Sequence, residues 1–352
     1  MAKTYLISGG SGFIGSNLVN TLLKDKSNTV INIDKLTYAS NENFTSHKSK
    51  SNYKFFQNDI NDKNAIKKII LKFKPNYILH LAAESHVDRS IDNPENFIHT
   101  NILGTYNLLT TAYDYWLSLT PKKKKSFRFI MVSTDEVYGS LRNKRKKFSE
   151  ESHYKPNSPY AASKASADLI TRSWFKTYGF PIITTNTSNN YGSWQFPEKL
   201  IPLTINKCTR NEKIPVYGEG NQIRDWIHVD DNVSALLFII KNGEIGEKYN
   251  IGSCNEITNI NVVKNICNLY DKITKNKPQK SVKLIHNVED RPGHDFRYAI
   301  DPTKLNKLGW KHRISWKDGL EKTLRWYLDN REYLLLINKK KYSGQRLGKI
   351  KK

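Results

Sequence analysis

Ser133-Thr134-Asp135-Glu136 closes an apolar run, Phe127-Arg128-Phe129-Ile130-Met131-Val132, and puts a hydroxyl and two neighbouring carboxyl groups where a buried strand should end. Tyr160 and Lys164 lie four residues apart, so in a helix they share one face. Two adjacent carboxyl groups can divide acid and base work only if their surroundings separate their pKa values. A phenol beside an ammonium can be poised to take a proton, because the positive charge favours the phenolate. Both sets have plain structural alternatives: acidic residues at a strand end can cap the next element, and a Tyr and a Lys at this spacing can be incidental.

The preceding chain supplies elements that could position them. Thr4-Tyr5-Leu6-Ile7 reads as a strand, followed by Gly9-Gly10-Ser11-Gly12-Phe13-Ile14-Gly15 and a helix through Leu23. Glycines at 9, 12 and 15 allow a tight turn, close approach to a pyrophosphate and close helix packing, and the new helix offers unpaired amides to phosphate. Asp34 follows the strand Val30-Ile31-Asn32-Ile33 at the position suited to a ribose diol, which favours NAD over a cofactor carrying a 2′-phosphate. Further strands are predicted at Tyr53–Phe56 and Tyr77–Leu81, with helices over Asn64–Phe73 and from Pro94 through Tyr115. In this order Asp59 and Ile60 could border an adenine, and Asn101 could orient the site. Leu141 to His153 reads as a polar surface loop, and Asn157-Ser158-Pro159 opens the helix that carries Tyr160 and Lys164. The predicted fold class is α/β, a Rossmann-type doubly wound parallel sheet with a smaller C-terminal substrate-binding lobe.

Composition bounds the partners. The chain has 352 residues and a formal charge of +24, with much of the excess in Lys122–Lys125, Lys144–Lys147 and the tail from Lys339. Such runs are ordinary solvated loops, and no nucleic-acid module interleaves them, so no specific nucleic acid is expected. No stretch has the length and apolarity of a membrane span, so no membrane partner is expected. Three cysteines make no disulfide framework and Met1-Ala2-Lys3 opens no signal-peptide pattern, so the expected location is cytoplasmic. His86 and His99 form no ligand constellation, and no metal is expected.

Taken together, the Gly9–Gly15 turn, Thr134-Asp135-Glu136 and the Tyr160/Lys164 pair resemble the extended short-chain dehydrogenase/reductase family. Within it the chain is most similar to the nucleoside-diphosphate-glucose 4,6-dehydratases, the dTDP-glucose enzymes above all, from Tyr5 to about Tyr333. The resemblance implies tightly bound NAD regenerated within each cycle, held by Gly9, Gly12, Phe13, Ile14, Gly15, Asp34, Lys35, Thr37, Asp59, Ile60, Leu81, Ala82, Ala83, Ser85, Thr100, Tyr160, Lys164 and Asn190. It implies a substrate, dTDP-glucose or UDP-glucose, held by Ser85, Thr134, Asn189, Lys199, Leu200, Pro215, Tyr217, Arg224, Asn259, Arg291 and His294. In that comparison Tyr160 is the base for the glucose 4-hydroxyl, Thr134 positions it, Asp135 is the acid and Glu136 the base of the elimination, and the protein is a homodimer.

The implied division is a cofactor domain over 1–188 with a return near 226–250, a substrate lobe over 189–225 and 251–335, and a basic tail over 336–352. Two departures from the family pattern stand out: Trp194 is bulkier than expected and could reshape the sugar pocket or simply pack, and Phe296 replaces an expected arginine. An epimerase or decarboxylase in the same fold, or a nucleotide-sensing or nucleic-acid interaction protein that binds the cofactor without turnover, remain the alternatives.

Overall fold

In the computed structural model the residues described are 2–41, 50–143 and 145–334. The expected basic tail over 336–352, like Lys144, lies outside them. Seven strands form one parallel sheet: β1 (Lys3–Ser8), β2 (Asn28–Asp34), β3 (Tyr53–Gln57), β4 (Tyr77–His80), β5 (Arg128–Thr134), β6 (Ile182–Thr187) and, after an excursion, β10 (Lys248–Ile251). Their spatial order is β10-β6-β5-β4-β1-β2-β3, so the winding reverses between β1 and β4. A crevice opens at the carboxyl ends of the strands where the winding reverses, and both the glycine turn and the end of β5 face it.

The central strands are nearly continuous apolar runs because helices bury both faces of the sheet. On one face, Leu18, Val19 and Leu22 of α1 (Phe13–Leu22) join Val233, Leu236 and Ile239 from Val229–Asn242. On the other, Ile66, Ile69 and Ile70 of α2 (Lys63–Phe73) meet Leu108, Leu109 and Ala112 from Gly104–Leu117. Each large aliphatic side chain removed from water this way contributes about 1.5–3 kcal/mol.

The longer of the remaining helices and one at the site are α3 (Val87–Asp92), α4 (Gly104–Leu117), α5 (Pro159–Tyr178), α6 (Leu200–Arg210), α7 (Val229–Asn242), α8 (Asn259–Ile273) and α9 (Trp316–Asp329), and three short helices lie over Glu95–Phe97, Pro121–Ser126 and Thr303–Lys307. A separate apolar cluster joins α6, α8 and α9 through Ile201, Ile205, Val262, Ile266, Leu320 and Leu324. Over it lie two small sheets, β11 (Glu256–Thr258)-β9 (Ile223–His228)-β7 (Asn189–Tyr191) and β12 (Ile285–Val288)-β8 (Ile214–Tyr217). Trp226 of β9 belongs to this cluster while its neighbour Ile227 belongs to the sheet core, because successive strand residues face opposite sides.

Local structure departs from the sequence expectations in two places, one of them Lys122–Lys125, which was expected in a solvated loop and lies in the short helix Pro121–Ser126. The single helix predicted from Pro94 through Tyr115 is broken by a wide turn over Ile98–Leu103, in which Gly104 N donates to His99 O, five residues back. Asp230 and Asp231 lie inside α7 and do not cap it: the His228 ring accepts from Asp230 N at 3.2 Å, which leaves both aspartates in the first turn, where their charge favours the helix dipole. Ser315 caps α9 as its spacing from Asp318 suggests, accepting from Asp318 N at 3.2 Å.

Candidate active site

Two adjoining clefts meet at the end of β5. The first, about 300 Å³, is lined by every residue named above for the cofactor together with Thr134, Asp135, Glu136, Asn189 and Lys199. The second, about 450 Å³, is lined by Leu200, Pro215, Tyr217, Arg224, Asn259, Arg291 and His294. Glu136, Asn189, Asn190, Gln195, Glu198 and Lys199 border both. Trp194 borders neither: with φ of +71° it turns into the lobe core, 4.7 Å from the Trp326 ring and 5.5 Å from Tyr333.

The first cleft has the donor set and the clearance for a dinucleotide. Gly9 sits at φ +75°, and a Cβ there would lie 2.6 Å from Ala82 N at the end of β4. A Cβ on Gly15 would lie 2.2 Å from Gly9 O, so only glycine lets α1 start this close to the turn. At Gly12, the residue before α1, a Cβ would meet only Gly9 O at 3.3 Å, which keeps the helix N-terminus open to a phosphate. Asp34, at the end of β2, is fixed by Ser11 N at 2.9 Å and Leu36 N at 2.8 Å, with carboxylate lone pairs left for a diol. Lys35 bridges to Thr100 at 3.2 Å and to Glu84 at 3.6 Å. Asn189 Oδ1, Asn190 Oδ1, Ser188 Oγ and Gln195 Oε1 are buried at the seam without a protein partner, as polar groups facing a ligand would be.

Asp135 and Glu136 begin a single 3₁₀ turn, Asp135–Tyr138, whose cap is the Thr134 hydroxyl accepting from Glu136 N at 3.3 Å. Capping and chemistry, alternatives in the sequence, are thus compatible here: Thr134 caps and both carboxyl groups stay in the cleft. Their surroundings differ. Burial raises the Asp135 pKa well above the usual carboxyl range, reinforced by the charges of Glu136 and Asp225, with Arg224 only partly opposing. Burial also raises Glu136, but Arg291, Arg224 and Lys199 all pull it back towards ionisation. Asp135 is therefore the better proton holder and Glu136 the better acceptor.

Tyr160 and Lys164 project from α5, which Ser158 caps by accepting from Ala161 N at 3.1 Å and Pro159 opens. The lysine was expected to lower the phenol pKa. In the protein alone burial raises it, Glu136 adds to the rise, and hydrogen bonding with Thr134 works the other way. Lys164 instead donates to Val132 O at 2.8 Å, and burial lowers its own pKa to about 8 although Asp168 opposes this. Asp168 is fixed by Ser133 Oγ at 2.7 Å and Tyr154 at 3.1 Å, and Asn186 ties it to Thr134 O. Sequence reasoning missed Asp168, although it stands four residues beyond Lys164, as Lys164 stands beyond Tyr160. Asn101, in the wide turn, accepts from Glu84 N at 2.9 Å and donates to Ser163 Oγ at 2.8 Å, bracing α5 against the loop after β4.

The second cleft is cationic but compensated. Arg224 is buried, with its guanidinium 4.2 Å from the Tyr298 ring centre and Nη2 on Asp295 O at 2.9 Å. Arg291 pairs with Asp88 at 2.6 Å, and Tyr217 donates to the other oxygen of Asp88 at 2.8 Å. His294 meets Asp290 at 2.6 Å, and burial followed by the Arg291 and Arg224 charges lowers its pKa to about 4. Arg297 turns away from the cleft into a two-pronged ion pair with Glu256 at 2.6 and 2.9 Å. Phe296 is 40% exposed. Asp88, Tyr298 and Glu198 were also missed; Asp88 and Arg291 are 203 positions apart, and no local pattern links them.

Comparison with known proteins agrees over nearly the whole length. The family model for GDP-mannose 4,6 dehydratase matches residues 6–323. An Escherichia coli dTDP-glucose 4,6-dehydratase is 48% identical over 98% of this chain and 99% of its own, and a Neisseria meningitidis relative with the same description is 47% identical over 98% and 99%. A Bacillus anthracis dTDP-glucose 4,6-dehydratase solved in complex with NAD superposes with a TM-score of 0.83 at 39% identity, covering 96% of this chain and 100% of that one. A Streptomyces venezuelae enzyme of the same description, solved with NAD and a second ligand, gives 0.85 at 37% identity over 94% and 98%.

Proposed function

This chain belongs to the GDP-mannose 4,6 dehydratase family, and from that membership we propose that it is an NAD-dependent dTDP-glucose 4,6-dehydratase, a lyase that makes dTDP-4-keto-6-deoxyglucose and water. The observation that carries the proposal is the pair of neighbouring carboxyl groups with opposite electrostatic surroundings, opening on one cleft with Thr134, Tyr160 and Lys164.

Bound NAD would supply a hydride acceptor that returns the same hydride before the turnover ends. Tyr160 takes the proton of the glucose 4-hydroxyl, which Thr134 holds in place, as carbon 4 is oxidised. The new ketone acidifies the proton on carbon 5, and Glu136, facing three cationic side chains, removes it. Asp135, kept neutral by burial, gives its proton to the departing 6-hydroxyl, which leaves as water. Glu136 returns its proton to carbon 5 when hydride reaches carbon 6. Arg224, Arg291 and His294 would face the diphosphate, and Tyr217 the base.

A homodimer is part of the proposal. Tyr106 of α4 packs edge-on against Trp174 of α5 at 5.9 Å, and Leu103, Tyr106, Leu169 and Tyr178 are exposed along this helix pair, as a helix-on-helix interface would require. Among the described residues no helix is long and apolar enough to cross a membrane; a cytoplasmic location is proposed with the activity.

The test compares initial rates on dTDP-glucose and UDP-glucose, with mass spectrometry of each product. Loss of one water from dTDP-glucose with no external oxidant is expected. A keto or epimerised sugar that retains the water would refute the proposal, and a strong preference for UDP-glucose would refute the choice of base.

A further inference from the structure

The proton count of the proposed reaction does not close on its own. Glu136 takes a proton from carbon 5 and gives one back, so it ends as it began. Tyr160 gains the 4-hydroxyl proton and the product, a 4-ketone, never reclaims it. Asp135 loses the proton that leaves in water. After each turnover the site therefore holds one proton too many on Tyr160 and one too few on Asp135.

Thr134 stands between these two groups. Its Oγ1 lies 3.4 Å from Asp135 Oδ1, which it meets as donor, and it lines the same cleft as the Tyr160 phenol, on which it acts by hydrogen bonding. Among the described residues no other side chain hydrogen-bonds the Asp135 carboxyl group, whose Oδ2 is buried without a partner. All three residues are buried, with exposures of 7% for Thr134, 2% for Asp135 and 8% for Tyr160, and the Asp135 end is the more closed to bulk water, its Oδ2 being fully buried. A hydroxyl can accept one proton while releasing its own, and so pass a proton on without storing a charge.

We propose that Thr134 resets the enzyme, carrying the proton that Tyr160 gains back to Asp135 before the next turnover. The Tyr160 O–H bond breaks as a new bond forms to Thr134 Oγ1, while the threonine's own proton moves to Asp135 Oδ1. The phenolate and the neutral carboxylic acid are both regenerated, and no co-reactant is consumed. The step rests on the dehydratase activity proposed above and adds to the positioning of the 4-hydroxyl, since a residue that only positions substrate acts once per turnover, before the chemistry.

The two roles separate by comparing the first turnover with the later ones. Purified holoenzyme in excess over dTDP-glucose reports the first turnover, and substrate in excess reports the steady state, both quenched and read by mass spectrometry. In Thr134→Val the first turnover slows through lost positioning, and the steady-state rate falls further, on the order of a hundredfold below that first turnover, the scale of a lost proton transfer. Thr134→Ser restores the hydroxyl and closes the gap. Equal first-turnover and steady-state rates in Thr134→Val, or a gap that persists in Thr134→Ser, would overturn the relay. Should Thr134→Val fail to fold by circular dichroism, Thr134→Ala, which only removes atoms, is read against the same outcomes. Absence of dehydrated product from the native enzyme's first turnover would instead refute the dehydratase activity.

Discussion

Replacing Asp88 by asparagine tests how the second cleft is held before substrate arrives. Asp88 belongs to α3 and lines the second cleft, where it meets Arg291 at 2.6 Å and Tyr217 at 2.8 Å. The side chains of Asp88 and Arg291 are only 6% and 16% exposed, so solvent screens the pair weakly. Asparagine keeps the shape and an acceptor for Tyr217 but leaves the arginine charge buried without its counter-charge. Breaking a buried pair from one side costs about 3–5 kcal/mol, and the retained hydrogen bond puts the expected loss near the lower end, about 3 kcal/mol. Burial works to raise the Asp88 pKa, but the charges of Arg291 and His86 and the hydrogen bonds from Arg291 and Tyr217 outweigh it and hold the carboxyl group below its ordinary value. A depressed folded pKa means the stabilisation is complete above the unfolded value, about 3.9, and is lost as pH falls through the folded one. Urea unfolding of native and Asp88→Asn protein should therefore differ by about 3 kcal/mol at neutral pH and converge in acid. Saturating dTDP should narrow the neutral-pH gap, because a diphosphate would resupply the missing negative charge. A neutral-pH difference below about 1 kcal/mol, typical of an exposed pair, would refute the reasoning.

Three further outcomes follow from the same geometry. Glu136→Gln should abolish exchange of the carbon 5 proton with deuterated solvent, whereas Asp135→Asn should still show NADH absorbance on mixing with substrate; normal exchange in Glu136→Gln would remove that residue from the base role. Lys164, lowered to about 8 by burial, is charged below that pH and neutral above it, so kcat should decline above about pH 8 as the cofactor cleft it shares with Tyr160 loses the ammonium. Asp168→Asn removes the charge that supports this ammonium and should move the decline to lower pH; an unmoved limb would separate Asp168 from Lys164. Trp194→Ala should cost about 3 kcal/mol in urea unfolding, the lower end for truncation of a packed aromatic because the indole is only partly buried, with KM nearly unchanged; a large change in KM would place the indole in the sugar pocket after all.

How much of this was legible in the sequence depends on range. The glycine turn, the Asp34 position, the capped helix of Tyr160 and Lys164 and the strand that ends at Thr134 are local signals, each set by contacts within a turn or two. The same holds for the Ser315 cap. The wide turn at Ile98–Leu103 was not legible, because its composition suits an ordinary helix and what favours it is tertiary: Asn101 reaching Glu84 and Ser163. The pairing of Asp88 with Arg291 and the tilt of Arg224 onto Tyr298 depend on chain crossings that no spacing encodes. Trp194 illustrates the remaining gap: residue size alone left pocket and core equally open, and a left-handed backbone at that residue decides for the core.

The wide turn before α4 also sets an angular phase. One residue inserted into a helix advances everything beyond it by about 100° around the axis. Here that offset lets Asn101 address the loop after β4 while Leu103 and Tyr106 face outward from the same rod. Deleting a single residue from Ile98–Leu103 would leave the composition of the outward stripe intact yet rotate it against the braces of the site. Catalytic geometry and the surface proposed for self-association are thus cut into one piece, like two keys on a single shaft.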